Sequence, residues 1–277
     1  MEALHIILGC LSALISLFLL LLLIYLLFLI RPRRRTPEKE LLCDYAHRGL
    51  HGNGIPENSL AAFELACKAG YGIELDVQLS CDKTVMVFHD EALTRMTGVE
   101  KKLKELDRAE LQSLSLAGSD QTIPTLSEVL ALVNGRVPLL IELKGEDTNA
   151  ELCPHLASLL EGYTGAYCLE SFNPLLIGKM KEHLPQALRG LLYTDVCKEK
   201  KNKSLLNRAL TAMALNFLAK PHFIAYHQGY RASLPVRLTT RLWHAPRFVW
   251  TVRTEEELAA ARENGECPIF EFITPKK

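Results

Sequence analysis

The sequence predicts a (β/α)8 TIM barrel that is preceded by a single transmembrane helix. Short apolar runs alternate with helical patterns along most of the chain, as in folds where strands and helices alternate. Residues 41–277 have a natural length for one such barrel. The residues before them contain a long stretch without charge, which sets the N-terminus apart from the barrel.

The uncharged stretch runs from Ile6 to Ile30 and is dominated by leucine. Because a bilayer core of about 30 Å is spanned by about 20 helical residues, we predict a transmembrane span over 6–30, within an N-terminal segment of residues 1–30. A cleaved signal peptide is the alternative. The length of the run, the lack of a positive residue before it and the lack of a small-x-small site after it favour an anchor.

A basic juxtamembrane linker follows at residues 31–40 and determines the predicted orientation. Since positive residues stay on the cytoplasmic side of a membrane, we expect the N-terminus outside the cell and the catalytic domain in the cytoplasm, at the cell membrane. Two prolines should keep the linker stiff and the domain close to anionic headgroups. The cluster comprises Arg31, Arg33, Arg34 and Arg35.

The overall composition argues against a nucleic-acid partner. Lysine and arginine number 32, as do aspartate and glutamate, so the formal net charge is zero. The eight cysteines form neither a CxxC pair nor a zinc spacing. Most lie in apolar stretches, where a free thiol packs as a small hydrophobe. Reduced cysteines agree with a reducing compartment.

Eight apolar runs are the predicted barrel strands: Leu41–Ala46, Gly72–Val77, Val137–Leu143, Tyr167–Glu170, Gly190–Tyr193, Ala214–Phe217, Phe248–Val252 and Ile269–Ile273. Capping residues indicate helices between several of them. The predicted caps and helices are Asn58 before Ser59–Ala69, which ends at Gly70, Thr125 before Leu126–Val133, and Thr254 before Glu255–Glu263.

Two acidic residues lie on one of these strands. Glu74 and Asp76 alternate with apolar residues, so both side chains point to the same face. Neighbouring carboxylates repel each other unless a positive group joins them. A solvated face would also accommodate them, but the central strand of a barrel has no such face. We therefore predict a metal ion, at the carboxyl ends of the strands where barrel chemistry occurs.

His89 and Glu142 are predicted to join this cluster. The sequence SCDKT is a turn, and the apolar VMVF comes too soon after it for a crossover helix, so we predict a hairpin. A turn centred near Cys81–Asp82 would place His89 across from Glu74. Three carboxylates without a thiolate describe a site for Ca²⁺ or Mg²⁺, which a histidine ligand would shift slightly toward a transition ion.

The motifs HRG…PEN, ELDVQLSCDKTVMVFHD and IELK resemble those of the glycerophosphodiester phosphodiesterase family, in the same order and spacing. The resemblance is strong from Leu42 to Gly145 and weaker beyond. It implies a TIM barrel and metal-dependent hydrolysis of a phosphodiester to an alcohol and a phosphomonoester such as glycerol 3-phosphate. The implied substrate is a glycerophosphodiester or a lysophospholipid-type lipid that retains this unit.

The resemblance also implies a role for each matching residue. The two histidines of the family, which serve in acid–base catalysis, correspond to His47 and His89, and His89 is also a possible metal ligand. The metal-binding carboxylates correspond to Glu74, Asp76 and Glu142. The residues that bind substrate or phosphate correspond to Arg48, Lys144, Glu57 and Asn58. His51 has no counterpart, and we predict a surface histidine.

The C-terminal segment departs from the family pattern. The family ends with Gly–Ile–Ile–Thr–Asp–x–Pro, whereas GECPIFEFITPKK has no aspartate before Pro275. Every catalytic position remains, so the departure should concern the rim of the pocket. Two functions stay open: a membrane-anchored phosphodiesterase, and a non-catalytic membrane-anchored barrel that binds lipid headgroups. The intact set of matching residues favours the enzyme.

Overall fold

A computed structural model of the chain describes residues 1–145 and 150–275. Those ranges contain nine strands, eight of which are parallel neighbours in a closed barrel. The strands are β1 Tyr45–Ala46, β2 Gly72–Leu79, β3 Val85–Val87, β4 Leu139–Leu143, β5 Tyr167–Ser171, β6 Leu188–Tyr193, β7 Phe223–His227, β8 Arg247–Val252 and β9 Cys267–Phe270.

The barrel closes at its first strand. β1 pairs in parallel with β2 on one side and with β9 on the other, and the remaining parallel strands follow in chain order between them. β3 pairs antiparallel with β2 and forms the predicted hairpin. The predicted TIM barrel is confirmed.

The helices of the described ranges lie around the barrel and before it. They are α1 Glu2–Ile24, α2 Leu60–Ala69, α3 Thr94–Thr97, α4 Arg108–Gln112, α5 Leu126–Val133, α6 Leu152–Leu160, α7 Pro174–His183, α8 Val196–Glu199, α9 Leu205–Thr211, α10 Asn216–Ala219, α11 Leu234–Arg237 and α12 Glu255–Glu263. Short 3-10 turns occur at Lys39–Leu41, Leu103–Glu105 and Gln228–Tyr230, and π-helical turns at Tyr25–Leu29 and Leu238–Leu242.

Two of the predicted caps are correct and one is displaced by a residue. Thr125 and Thr254 accept hydrogen bonds from the third residue of their helices. α2 is capped by Ser59 rather than Asn58. The Asn58 side chain is engaged elsewhere, because its amide donates to Asp76. Gly70 ends α2 in the left-handed conformation, as its lack of a Cβ allows.

The predicted strand Ala214–Phe217 is wrong. Asn216–Ala219 is the short helix α10, and the seventh barrel strand is Phe223–His227. The connection from β6 to β7 therefore includes two further helices, α8 and α9, before α10. An apolar run of four residues does not distinguish a strand from a buried helical turn.

Alternate residues of the barrel strands face opposite layers. Ile73, Leu75 and Val77 face the helices and belong to the large core between strands and helices. Leu140, Phe223 and Phe248 pack with each other in a second core inside the barrel. This inner core fills the barrel toward the amino ends of the strands. The inward-facing polar residues therefore lie toward the carboxyl ends.

The apolar helix Glu2–Leu29 is long and apolar enough to cross a membrane, by length and composition alone. Its end contacts the barrel wall. Tyr25 Oη donates to the carbonyl of Ala212 over 2.8 Å, and Asn216 Nδ2 donates to the carbonyl of Ile30 over 2.7 Å. Ile30 is completely buried. The basic linker therefore begins in contact with the barrel and is not a free spacer at this point.

Candidate active site

Three inward carboxylates meet at the carboxyl ends of β2 and β4. Asp76 and Glu142 are direct neighbours in the parallel register of these strands, and Glu74 lies two residues before Asp76. Each offers an oxygen within 4.8 Å of the oxygens of the other two. All three residues are buried. We call Glu74, Asp76 and Glu142 the acidic cluster.

Burial and mutual repulsion make this cluster electrostatically unfavourable. Burial, with Asp76 and Glu142 nearby, raises the pKa of Glu74 well above its ordinary value. Burial also raises the pKa of Glu142 to about 7, although Lys144 opposes the rise. Burial would raise the pKa of Asp76 as well, but Lys144, His89 and Arg48 outweigh it and hold that pKa below its usual range.

Two cationic side chains border the acidic cluster. Lys144 Nζ lies 3.0 Å from Asp76 Oδ1 and 2.8 Å from Glu142 Oε1. Arg48 Nε lies 3.5 Å from Asp76 Oδ2, and the Arg48 backbone amide donates to Glu74 over 2.9 Å. Burial would lower the pKa of Lys144, but Asp76 and Glu142 outweigh it and raise that pKa. Both cations lie where they would meet an anionic substrate.

His47 is held by a glutamate at the next strand end. The His47 amide donates to the carbonyl of Phe270 and continues the pairing of β1 with β9, which brings His47 beside Glu271. His47 Nδ1 lies 2.7 Å from Glu271 Oε2, while Nε2 lies 3.9 Å from Glu74 Oε2. Burial lowers the pKa of His47, although the hydrogen bond to Glu271 opposes the change.

His89 has a carboxylate partner of its own. His89 Nδ1 lies 2.6 Å from Asp90 Oδ1, and burial lowers the pKa of His89 although Asp76 opposes the change. Arg95 donates to Asp90 and also to Glu57, which accepts from Arg48. A chain of ion pairs therefore connects His89 with Arg48, the residue that follows His47.

The hairpin register differs by one residue from the predicted register. Val77 pairs with Val87 and the Phe88 amide donates to the carbonyl of Asp76. β3 ends at Val87 and His89 lies in a bend beyond it, so His89 does not pair with Glu74. The cause is the turn, which is centred on Asp82 and has Lys83 in the left-handed conformation with φ of 64°. Such a turn gives a three-residue loop.

His51 is not the surface residue that we predicted. Its side chain is 10% exposed, its Nε2 lies 3.8 Å from Glu271 Oε2, and its ring packs edge-on against Phe272. Burial would raise the pKa of Glu271, but the hydrogen bond from His47 and the nearby His51 and Arg253 outweigh it and hold that pKa below its usual range. Glu271 therefore connects both histidines of the HRGLH segment with the divergent C-terminus.

Sequence reasoning missed Glu271, Arg95 and Glu170. Glu170 follows Glu142 in the parallel register of β4 and β5, and it is buried with one oxygen that lacks a hydrogen-bond partner. Burial and Glu142 raise its pKa well above the ordinary value. The alternation of YCLES places Glu170 on the inward face and could have revealed it.

The acidic cluster fits a hard divalent cation. The three carboxylates offer oxygens that all lie within 4.8 Å of one another, close enough for one Ca²⁺ ion with oxygen ligands at about 2.4 Å. The donors are oxygens alone, as Ca²⁺ and Mg²⁺ prefer. Among the described residues, His89 does not belong to this group. Its role as a ligand stays a prediction.

Comparison with known proteins now decides the family. The sequence pattern of the Glycerophosphoryl diester phosphodiesterase family matches residues 47–270, which include most of the barrel and all the acidic cluster. The chain belongs to this family. The glycerophosphodiester phosphodiesterase of Caldanaerobacter subterraneus is 36% identical over 163 residues, 53% of this chain and 65% of that protein. The human lysophospholipase D GDPD1 is 33% identical over 124 residues, 40% of this chain and 39% of that protein.

These matches span less than two thirds of the length of the relatives. A solved phosphodiesterase of Oleispira antarctica, in complex with the product sn-glycerol-3-phosphate, resembles the chain over its barrel. The TM-score is 0.68 at 24% identity, and the match covers 83% of this chain and 92% of that chain. At this identity the likeness shows the fold.

Proposed function

We propose that the chain hydrolyses glycerophosphodiesters, or lipids that contain this unit, to an alcohol and a phosphomonoester such as glycerol 3-phosphate. One observation carries the proposal. The acidic cluster lies at the barrel mouth with His47 and His89 beside it, and each histidine is oriented by its own carboxylate. Family membership supports the same reaction class.

The two histidines are suited to move the protons of this reaction. One must accept a proton from the attacking hydroxyl, and the other must give a proton to the leaving alcohol. The Nδ1 contacts with Glu271 and Asp90 hold both rings, so that each Nε2 is available for proton transfer. Burial lowers the pKa of both histidines and so favours neutral rings.

The cations of the chain would bind the diester. Arg48 can direct its planar fork at phosphate oxygens, and Lys144 can add a point charge. Glu57 and Asn58 act indirectly, because Glu57 accepts from Arg48 and Asn58 donates to Asp76. Glu74, Asp76 and Glu142 would hold a divalent cation, Ca²⁺ or Mg²⁺, which would neutralise charge that develops on the phosphate.

A product assay on the full chain tests this function. The substrates are glycerophosphocholine, glycerophosphoethanolamine and glycerophosphoglycerol, and the cation is removed with chelator and then restored as Ca²⁺ or Mg²⁺. We expect a phosphomonoester to form only with the cation. Metal content of the purified protein is measured in parallel with a Glu74→Gln variant, which should bind less. A protein that binds headgroups without any turnover would support the non-catalytic alternative instead.

We also propose that the N-terminal helix anchors the chain in the cell membrane with the barrel in the cytoplasm. The support is the apolar helix Glu2–Leu29 and the arginines that follow it. Protease added to intact cells should leave the barrel uncut, while lysed cells should lose it. Digestion from outside would contradict the orientation, and a mature protein that lacks the helix would identify a signal sequence.

A further inference from the structure

The N-terminal apolar helix touches the barrel before its apolar sequence ends. No residue of Glu2–Ile24 is buried, whereas Tyr25 and Leu26 pack against the core between strands and helices. The Tyr25 hydroxyl donates to the carbonyl of Ala212, which lies between α9 and α10. The last part of the apolar helix therefore lies beside the connection that joins β6 to β7.

The length of the helix relates this contact to a bilayer. A helix rises about 1.5 Å per residue, so the 20 residues from Ile6 to Tyr25 extend about 30 Å. The hydrocarbon core of a bilayer is also about 30 Å thick. With Ile6 at one boundary of the core, Tyr25 lies at the other boundary, where tyrosine is common. Because Ala212 is hydrogen-bonded to Tyr25, α9 and α10 lie at the same boundary.

The side chains that α9 and α10 expose are apolar. Leu205 is 86% exposed, Leu206 61% and Phe217 41%. Groups of large apolar side chains on a protein surface mark sites of contact with a protein or a membrane. At the boundary of a bilayer these side chains would leave water, which is the favourable arrangement for them.

The charged residues of the same segment are all basic. Residues 200–220 contain five lysines and arginines and no aspartate or glutamate, whereas the whole chain has 32 basic and 32 acidic residues. Lys201, Lys203 and Arg208 are exposed. A basic side chain at the surface of an anionic leaflet strengthens binding by about fivefold. The segment therefore complements anionic lipid in charge as well as in apolar surface.

We propose that residues 200–220 form a docking surface that binds an anionic lipid leaflet, with the lysines at the headgroups and Leu205 and Phe217 at the boundary of the hydrocarbon core. This inference rests on the proposed membrane anchor and gives the barrel a second contact with the same membrane. It also defines how the barrel is oriented. β2 and its hairpin partner β3 lie away from the lipid, because β2 is four strands from β7 in either direction around the barrel.

Quenching by brominated lipid tests the apolar part of the docking surface. The full chain with Leu205→Trp is reconstituted in bilayer discs of phosphatidylcholine and phosphatidylglycerol, with or without bromine on the acyl chains. We expect bromine to reduce its fluorescence by more than that of the unmodified chain, which contains Trp243 and Trp250. Ala109→Trp is the matched control, because Ala109 is exposed in α4, in the connection that follows β3. Bromine should not quench the tryptophan introduced there.

Removal of charge tests the basic part. Lys201→Gln together with Lys203→Gln should weaken docking at least about tenfold, so bromine should quench Leu205→Trp less in this background. Lys101→Gln together with Lys104→Gln removes two exposed lysines from the connection that follows β3 and should leave the quenching unchanged. Discs of phosphatidylcholine alone should reduce the quenching as the first pair of substitutions does.

Co-elution with the discs in size-exclusion chromatography distinguishes the anchor from the docking surface. A chain that elutes without the discs has no membrane anchor, and this inference then fails together with that proposal. If the chain elutes with the discs but bromine quenches Leu205→Trp no more than Ala109→Trp, the docking surface alone is wrong. Equal effects of the two pairs of lysine substitutions would overturn the role of the lysines.

Discussion

Replacement of Glu271 by glutamine tests the role of the His47 pair. The carboxylate lies 2.7 Å from His47 Nδ1 and also accepts from Arg253. Opposite charges about 4 Å apart at an effective dielectric constant near 20 attract by about 4 kcal/mol, which corresponds to about 10³-fold in rate at about 1.4 kcal/mol per factor of ten. The amide of glutamine can still form a hydrogen bond with His47, so the loss can be smaller than this full electrostatic value. We therefore expect kcat/KM to fall by about 10- to 10³-fold.

The pH profile of Glu271→Gln should change in a defined direction. Burial lowers the pKa of His47 and Glu271 opposes that change, so removal of the negative charge should lower this pKa further. If His47 is the general base, it must be neutral, and the acid limb of the profile moves to lower pH. If His47 is the general acid, it must be protonated, and the alkaline limb moves to lower pH. The limb that moves therefore identifies the role.

Glu266→Gln is the matched control. Glu266 is also a buried glutamate with an arginine partner, Arg231 Nη2, at 2.8 Å, but its other side-chain contact is to Tyr226 rather than to a histidine of the site. Its loss should leave both limbs of the profile in place. An unchanged kcat/KM and unchanged limbs in Glu271→Gln would refute the pairing of Glu271 with a catalytic His47.

Further predictions concern the second histidine, the barrel interior, the N-terminal contact and the cation. His89→Ala should lower kcat by about 10²-fold or more without loss of the fold, since general acid–base catalysis typically contributes about 10²–10⁴-fold; circular dichroism and turnover check this. Gly190→Ala should lower the free energy of unfolding by about 1–3 kcal/mol, because a Cβ there would meet the Phe223 ring at 2.1 Å. Gly162→Ala, where nothing lies within 4 Å, is its control in urea unfolding. Ile30→Ala should cost about 2–5 kcal/mol, since Ile30 is fully buried, whereas Phe28→Ala, at a residue 70% exposed, should not weaken the barrel in the same assay. A divalent cation at 100 times its Kd should add about 2.7 kcal/mol to the stability of the folded chain. A Tm that is the same with and without Ca²⁺ or Mg²⁺ would contradict the assignment of the acidic cluster as a cation site.

The parts of the fold that were predictable have strong local signals. The alternation of apolar and acidic residues in GIELDVQLS defines both the strand and its inward face, so the positions of Glu74 and Asp76 followed from the sequence. The seventh strand was not predictable in this way. Ala214–Phe217 is apolar enough for a strand, and only the packing of α10 against α7 and the N-terminal segment makes it helical.

Contacts between distant strand ends account for most of what the sequence did not reveal at the site. Glu271 and His47 are 224 residues apart in the chain, and only closure of the barrel between β1 and β9 makes them neighbours. Asn58 has a good N-cap side chain, but its contact with Asp76 determines its position instead. Such contacts depend on register between strands, which a single sequence defines poorly.

The charges around the acidic cluster explain why this barrel end is suited to a divalent cation. Glu170 lies next to Glu142 and completes a set of four buried carboxylates. Arg48 and Lys144 are the cations that the structure brings against the cluster itself within the described ranges. If all four carboxylates were ionised, they would exceed these cations by two negative charges. Buried ionised groups are costly unless they are paired. A single divalent cation would balance the two excess negative charges and leave all four carboxylates ionised. Protonation of two carboxylates would also balance the charge, but the protonated oxygens would no longer be available to bind the cation.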